Sequence, residues 1–478
     1  MTSISENEIK QEYLDRKITS FFPDVCVHKG LAAKAGLTGR TIPAFVSDWL
    51  VSRYSDGSGS INSDGMQKFV AKYLPDKKQK ETLMYDLRNG TPLKILDSFS
   101  VKVHPTKGTL QLRIPCLDLN GIVLDSIVDA NPLLLMGNVW GSGTLTWMPS
   151  QEKEDKYDVV MTNFNPMQAA SIDLEYFLAQ RKEFDLAEWL AVLARTMGYD
   201  ERKYSTRQKL LILTRLLPLI EPRVNIMELA PKGTGKSFIY SQLSRHAWLV
   251  SGGVVTRAQL FYDMSRQQAG IISNFNAVIL DEIQTIKLSN EGEIVGALKG
   301  YLESGEYRVM GFHGSSDAGF VILGNIPIVD GRPRDENCFT ELPRWLNGHE
   351  ATALLDRFHA LVPGWELPRI QSTSLCQSFA LRADYFGEVL YSLRASQEHM
   401  TYVKDHMQSH GDLRDTQAVQ RLACGYLKLL FPNLETVTLA EFGEFCLQPA
   451  IDLRSNIRRQ MAILDPEFSP KIADISVM

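Results

Sequence analysis

The stretch Ala230-Pro231-Lys232-Gly233-Thr234-Gly235-Lys236-Ser237 decides how this chain is read. It follows an apolar run at residues 224–229 that reads as a buried strand, and residues 238–247 read as a helix. Strand, glycine-rich loop and helix in that order form a cradle for nucleotide phosphates. Gly233 and Gly235 let backbone N–H groups curl around a phosphate. Pro231, Lys232 and Thr234 complete the loop, Lys236 neutralises β/γ oxygens, and the Ser237 hydroxyl is suited to Mg²⁺. The strict pattern opens on glycine; Ala230 stands there, still small enough for a strand end. The plainer alternative is a glycine-rich turn with a solvated lysine.

Working outward, AVILDE at residues 277–282 reads as an apolar strand ending in two acids, 281 − 236 = 45 residues after Lys236. Strand ends of parallel sheets face the crevice where ligands bind. Asp281 is expected to hold Mg²⁺ through its water shell, and Glu282 to polarise the attacking water. FVILGN at 320–325 reads as a further strand with Asn325 at its tip, which resembles the first sensor of AAA+ proteins that orients that water; the plainer alternative is an asparagine at a strand-ending turn. LLDRF at 354–358 offers Arg357 as an arginine finger toward a neighbouring subunit's γ-phosphate; the alternatives are a surface arginine or a pair with Asp356.

The remaining organisation is multidomain. With 478 residues the chain exceeds what one core usually supports. Residues 1–91 are expected as an N-terminal helical region, containing a loop at 55–64. Residues 92–170 alternate with period two, as in Phe99/Val101/Val103, Leu110/Leu112/Ile114 and Leu145/Trp147, with turns at Gly108 and at DLNG, 118–121. That pattern predicts a β-barrel, OB-like, or a small sandwich. An α/β core at 171–365, a helical lid region at 366–450 and a tail at 451–478 complete the expectation.

Net charge, 51 − 56 = −5, argues against a protein coated in nucleic acid but leaves a basic inner surface open. Six scattered cysteines without C-x-x-C pairs read as reduced thiols, not a zinc or disulfide framework. No apolar signal core or membrane-length run stands in the sequence, so a cytoplasmic location and no membrane partner are expected.

These motifs in this order resemble Lon- or MCM-like AAA+ proteins, and more narrowly the BrxL family of BREX phage-defence systems. The likeness rests on residues 228–237, WLVSGG at 248–253, LFYDM at 260–264, DEIQ at 281–284, GALKGYLESGEYR at 296–308 and LKLLFP at 427–432, and extends over about residues 12–450. It implies an AAA+ ATPase using ATP and Mg²⁺, assembled as a hexamer or double hexamer, acting on double-stranded DNA with other BREX components. It also suggests a second sensor within GDLRDTQAVQRL at 411–422, with Arg414 as candidate and Arg421 as alternative. Typical family members carry a C-terminal Lon-like protease domain. Only 478 − 432 = 46 residues follow Pro432, so no peptidase activity is expected, whether the chain is truncated or a natural short form.

The resemblance leaves three classes of function: a DNA motor or clamp, a Lon-like protein unfoldase, or a nucleotide-gated scaffold. Residues 307–321 read as a β-hairpin ahead of the Asn325 strand, as in MCM-type motors, with a tip at 311–316. Arg308 near its base and His313 and Ser315 at its tip are the expected DNA contacts; Lys299 faces either a pore or solvent.

Overall fold

The computed structural model describes residues 6–31, 42–55, 61–75, 77–103, 109–135, 139–150, 157–167, 172–242, 244–265, 267–472 and 474–478. Gly108 and residues 56–60 of the expected loop lie outside them. Contacts divide the chain into two units that do not follow chain order. One gathers the helix Glu6–Phe21 with Asp173–Cys376 and Phe386–Met478; the other gathers Asp24–Ile172 with Gln377–Tyr385.

In the second unit the alternating segments close into a five-stranded barrel: Leu93–Val103, Leu110–Ile114, Leu119–Val123, Val139–Pro149 and Tyr157–Pro166. The first strand pairs with both the second and the fourth. The third runs parallel to the fifth, with Ile122 opposite Val160. Inward positions carry Phe99, Val101, Leu112, Ile114, Leu145 and Met161, all buried. The helix Asp125–Ala130 follows the third strand. One expected turn is corrected: Asp118 does turn, at φ 47°, but Asn120 and Gly121 lie inside the third strand. A Cβ on Gly121 would sit 2.3 Å from the Val159 carbonyl oxygen, so glycine serves a close strand approach there.

The first unit is built on a five-stranded parallel sheet. Its spatial order is Ala360–Pro363, Ile226–Ala230, Gly319–Asn325, Ala277–Leu288, Ala247–Val255. The three inner strands are mostly apolar and buried over residues 226–230, 277–280 and 319–324, as burial on both faces demands. From Ile226–Ala230 the chain crosses to the far edge, returns strand by strand to Gly319–Asn325, then hops over to Ala360–Pro363. The crevice between Ile226–Ala230 and Gly319–Asn325 is therefore the switch point at which such sheets bind ligands. The helix Glu291–Ser304 buries Ile294, Leu298 and Tyr301, at helical spacing, and ends at Gly305 with φ +81°.

Two helical boundaries differ from expectation. The helix after the glycine-rich loop is Lys236–Gln242, and Ala247 already begins the edge strand. The expected tail continues the helix Gln448–Leu464, whose Leu453, Ile457 and Met461 form a buried stripe. Farther on, Ile475–Val477 pairs with Met407–Ser409. Among the described residues no helix is long and apolar enough to cross a membrane.

Candidate functional site

The fully buried strand Ile226–Ala230 delivers the glycine-rich loop to the crevice. Gly233 and Gly235 take φ +86° and +75°, the left-handed conformation that L side chains avoid. A Cβ at Gly233 would meet nothing within 4 Å, so the loop borders open space there. At Gly235 it would strike Ile370 Cδ1 at 2.3 Å and the Tyr199 hydroxyl at 2.9 Å. Lys236 is buried, and its Nζ donates to Asn325 Oδ1 at 2.6 Å. Burial lowers the pKa of this ammonium against the raising effect of Glu228 and Asp281. Asn325 pairs in register with Ala230, which sets the two strand tips side by side. Thr234 is buried, Lys232 is exposed, and Pro231 and Ser237 are half-buried.

Sequence reasoning missed the frame beneath this loop. Arg215 and Glu228, both wholly buried, form a bidentate pair at 2.6 and 2.9 Å. Arg215 also donates to the Tyr199 hydroxyl at 2.9 Å and to the Thr234 carbonyl at 3.3 Å. Burial alone would lower the Arg215 pKa; Glu228 overrides it and raises it. The Ile370 N–H donates to the Gly233 carbonyl at 2.8 Å. Only the run of Glu228 into the loop motif hinted at this. Removing one member of a buried ion pair strands the other charge, at a cost of about 3–5 kcal/mol. Arg215→Ala is expected to lose that much in denaturant unfolding, and a loss under about 1 kcal/mol would remove Arg215 from the frame.

The two acids do not end their strand. Ala277–Leu288 runs on through a bulge: Asp281 pairs with Ser251 and the ladder resumes at Ile286 with Gly253. Bulges re-aim side chains beside active sites. Asp281 stays buried, and its Oδ1 accepts the Glu282 N–H at 2.8 Å. Glu282 is exposed with φ +52°, a conformation uncommon outside glycine. Thr285 Oγ1 donates to the Glu282 carbonyl at 2.9 Å, and the Gln284 side-chain amide donates to the Asn325 carbonyl.

The candidate arginines gather elsewhere. Arg357 precedes the strand Ala360–Pro363, and Ala360 pairs with Ile226, at the end of the sheet opposite the loop. At about 3.3 Å rise per residue, the sheet alone separates the two levels by about 13 Å. Arg357 Nε lies 2.7 Å from Glu303 Oε2. Arg414 donates to Asp356 at 2.8 Å and to both carboxylate oxygens of Glu303 at 3.2 Å. Buried Arg454 ties Asp356 to Asp415, each at 2.7 Å. Burial would raise the Asp356 pKa; Arg454 and Arg414 prevail and hold it below the usual carboxylate range. The alternative, Arg421, donates to the Pro222 carbonyl at 2.8 Å.

The expected hairpin is shorter than 307–321. Glu306–Val309 pairs with Phe312–Ser315, and its turn is Met310-Gly311, both at positive φ, 47° and 84°. His313 and Ser315 are therefore in the second arm, not at the tip, and residues 319–321 belong to the parallel sheet. Arg308 faces His313 across the ladder, and Glu306 faces Ser315. These four side chains are exposed while Tyr307 and Val309 are buried. His313 Nε2 lies 3.4 Å from Glu306 Oε2, and Lys299 is half-buried on its helix.

Two family models match this chain. Residues 20–147 match the model for the BREX system Lon protease-like protein BrxL N-terminal, and residues 159–474 match Lon-like protease BrxL-like, ATPase domain. The chain is similar to the Lon-like protease BrxL of Bacillus cereus (strain H3081.97), 29% identical over 94% of this chain and 67% of the relative. It is similar also to that of Escherichia coli O9:H4 (strain HS), 28% identical over 96% and 67%. A weaker likeness, 27% over 36% of this chain and 42% of the other, is to the uncharacterized protein 440 of Sulfolobus islandicus rod-shaped virus 1. Barrel, ATPase-type domain and both matched models agree, and the chain belongs to the BrxL family of BREX-system proteins.

Proposed function

We propose that this protein is a cytoplasmic AAA+ ATPase that assembles into an MCM-like ring, a hexamer or double hexamer, and uses ATP to move along or clamp double-stranded DNA in BREX phage defence alongside other BREX components. Residues 171–365 are its nucleotide core, and the helices after residue 366 form a lid. The carrying observation is the crevice in which the open space at Gly233, buried Lys236 and Asn325 converge. The open space at Gly233 leaves the loop accessible to a phosphate, and Ser237 with Asp281 would supply the oxygen donors that Mg²⁺ prefers. When bound, ATP supplies the phosphoryl group and Mg²⁺ neutralises its oxygens. Lys236 donates to the terminal phosphate oxygens, in place of its bond to Asn325. Asn325 then orients the attacking water, and the Glu282 carboxylate accepts its proton. Arg357, far from its own loop, reaches the phosphate of a neighbouring subunit.

DNA is favoured by the exposed row of Arg308, His313 and Ser315, although Glu306 shares that row and pairs with His313. The closed barrel, with its parallel third and fifth strands, supports an OB-like reading, a fold that binds oligonucleotides. A polypeptide track has one observation of its own: the hairpin tip is Met310, 65% exposed, an apolar contact point. Salt dependence separates the two. Each phosphate contact on duplex DNA contributes about −0.9 to the log–log slope. Arg308→Ala is expected to weaken duplex binding and flatten that slope, and His313→Ala with Ser315→Ala to weaken binding, all with ATP binding intact. Unchanged affinity and slope in assembled variants would take the hairpin off the DNA path and favour polypeptide.

A further inference from the structure

We propose that Glu303 is a latch: it holds Arg357 and Arg414 together on one carboxylate and yields them when a phosphate carried by a second copy of this chain arrives. The proposal rests on the reading of Arg357 as acting between subunits. Four observations carry it. First, one anion serves two cations, with Glu303 Oε2 2.7 Å from Arg357 Nε and 3.2 Å from Arg414 Nη2. Two guanidiniums converging on a single carboxylate make a receptor for a more highly charged oxyanion.

Second, the carboxylate sits at the unfavourable end of its own helix. Glu303 lies in the last turn of Glu291–Ser304, where the negative end of the helix dipole disfavours an acid. Third, its fit to Arg357 is imperfect. Arg357 Nε is buried and within ion-pair reach of Glu303, yet makes no well-aligned hydrogen bond among the described residues. A charge contact without hydrogen-bond geometry is one that a better acceptor displaces.

Fourth, the two ends of the cluster differ in permanence. Arg454 is wholly buried and bonds Asp356, Asp415 and the carbonyls of Asp356 and Phe358. Asp356 therefore stays in place and keeps hold of Arg414 when Glu303 leaves; it is a positioning residue for that arginine. Glu303 and Arg414 are each 43% exposed, so solvent and an incoming phosphate both reach them. Exposed ion pairs are weak, which lets such a latch open without disturbing the buried base.

The test uses the full chain and a non-hydrolysable ATP analogue. Subunit association is followed by sedimentation velocity across analogue concentrations, and KM and kcat for ATP are measured in parallel. Glu303→Gln is expected to lower both the analogue concentration for half-maximal association and KM by about threefold or more, the scale of one or two exposed ion pairs, with kcat not reduced. Glu303→Asp, which keeps the charge, is expected to behave like the parent. Thermal melts that match the parent establish that both variants are folded. Unchanged association and KM in folded Glu303→Gln overturns the latch, and so does weaker association with a raised KM, which marks Glu303 as a strut holding the arginines in working position. A Glu303→Gln chain that melts well below the parent overturns it too. Arg357→Ala separates this failure from that of the underlying reading. If Arg357→Ala hydrolyses like the parent, the intersubunit role falls and the latch with it; if it is inactive while Glu303→Gln changes nothing, only the latch falls.

Discussion

Arg357→Ala is expected to lower ATP hydrolysis by about 10³-fold or more while leaving ATP affinity close to that of the parent. The asymmetry follows from the sheet. Parallel pairing of Ala360 with Ile226 puts Arg357 at the level where the P-loop strand begins, and Lys236 lies beyond the level where that strand ends. On the proposed reading, an arginine in that position contributes to a neighbour's turnover and not to its own nucleotide's binding. Lys236→Ala is expected to have the opposite phenotype, loss of binding itself, because a buried phosphate charge would lose its partner. Mixing the two variants under exchange conditions should restore part of the hydrolysis, since some interfaces then hold an intact Lys236 opposite an intact Arg357. Turnover within about tenfold of the parent in Arg357→Ala, set against that expected scale, moves the finger to another residue. Mixtures that recover nothing confine its action to its own subunit.

Glu282→Gln is the second large effect: ATP binds, and hydrolysis falls by about 100-fold or more, the scale of losing a general base. The backbone supports this assignment. The bulge that begins after Asp281 takes Glu282 out of the ladder and leaves its side chain exposed. Asp281, one residue earlier, remains buried and bonded to the Glu282 N–H. The adjacent acids thereby differ in exposure, as the separate roles proposed for them require. Glutamine preserves length and backbone preference but cannot take a proton. Nearly normal turnover in Glu282→Gln would falsify its role as base, and attention then passes to Gln284, whose amide already bonds the Asn325 carbonyl.

The parts of the molecule legible in its sequence are those written in consecutive residues. The phosphate loop, the strand before it and the apolar runs ending near Asp281 and Asn325 each carry their signal within about eight residues. The barrel strands were legible by alternation; the closure was not, because the parallel pairing of Leu119–Val123 with Tyr157–Pro166 is set by residues far apart in the chain. Tyr199, Arg215 and Ile370 escaped for the same reason, coming to the loop from both sides of it without a shared motif. The hairpin tip was misplaced because Gly-rich composition at 311–316 outweighed turn chemistry. The actual turn uses Met310 at φ 47°, where asparagine or glycine is the usual choice. The bulge left no mark at all: the two acids read as the strand's end, and the ladder resumes at Ile286.

The Ile370 N–H that bonds the Gly233 carbonyl has a consequence of its own. Ile370 stands only seven residues past Pro363 on the same continuous chain, and that chain leads on to the later helices. The phosphate loop is thus fastened to the stretch of backbone through which those helices are attached. Linkage between two such places is reciprocal: whatever free energy a ligand on the loop transfers to the 370 segment, restraint of that segment returns to the ligand in equal amount. Fixing the helices from outside and filling the loop from inside are, in thermodynamic terms, one coupling seen from its two ends.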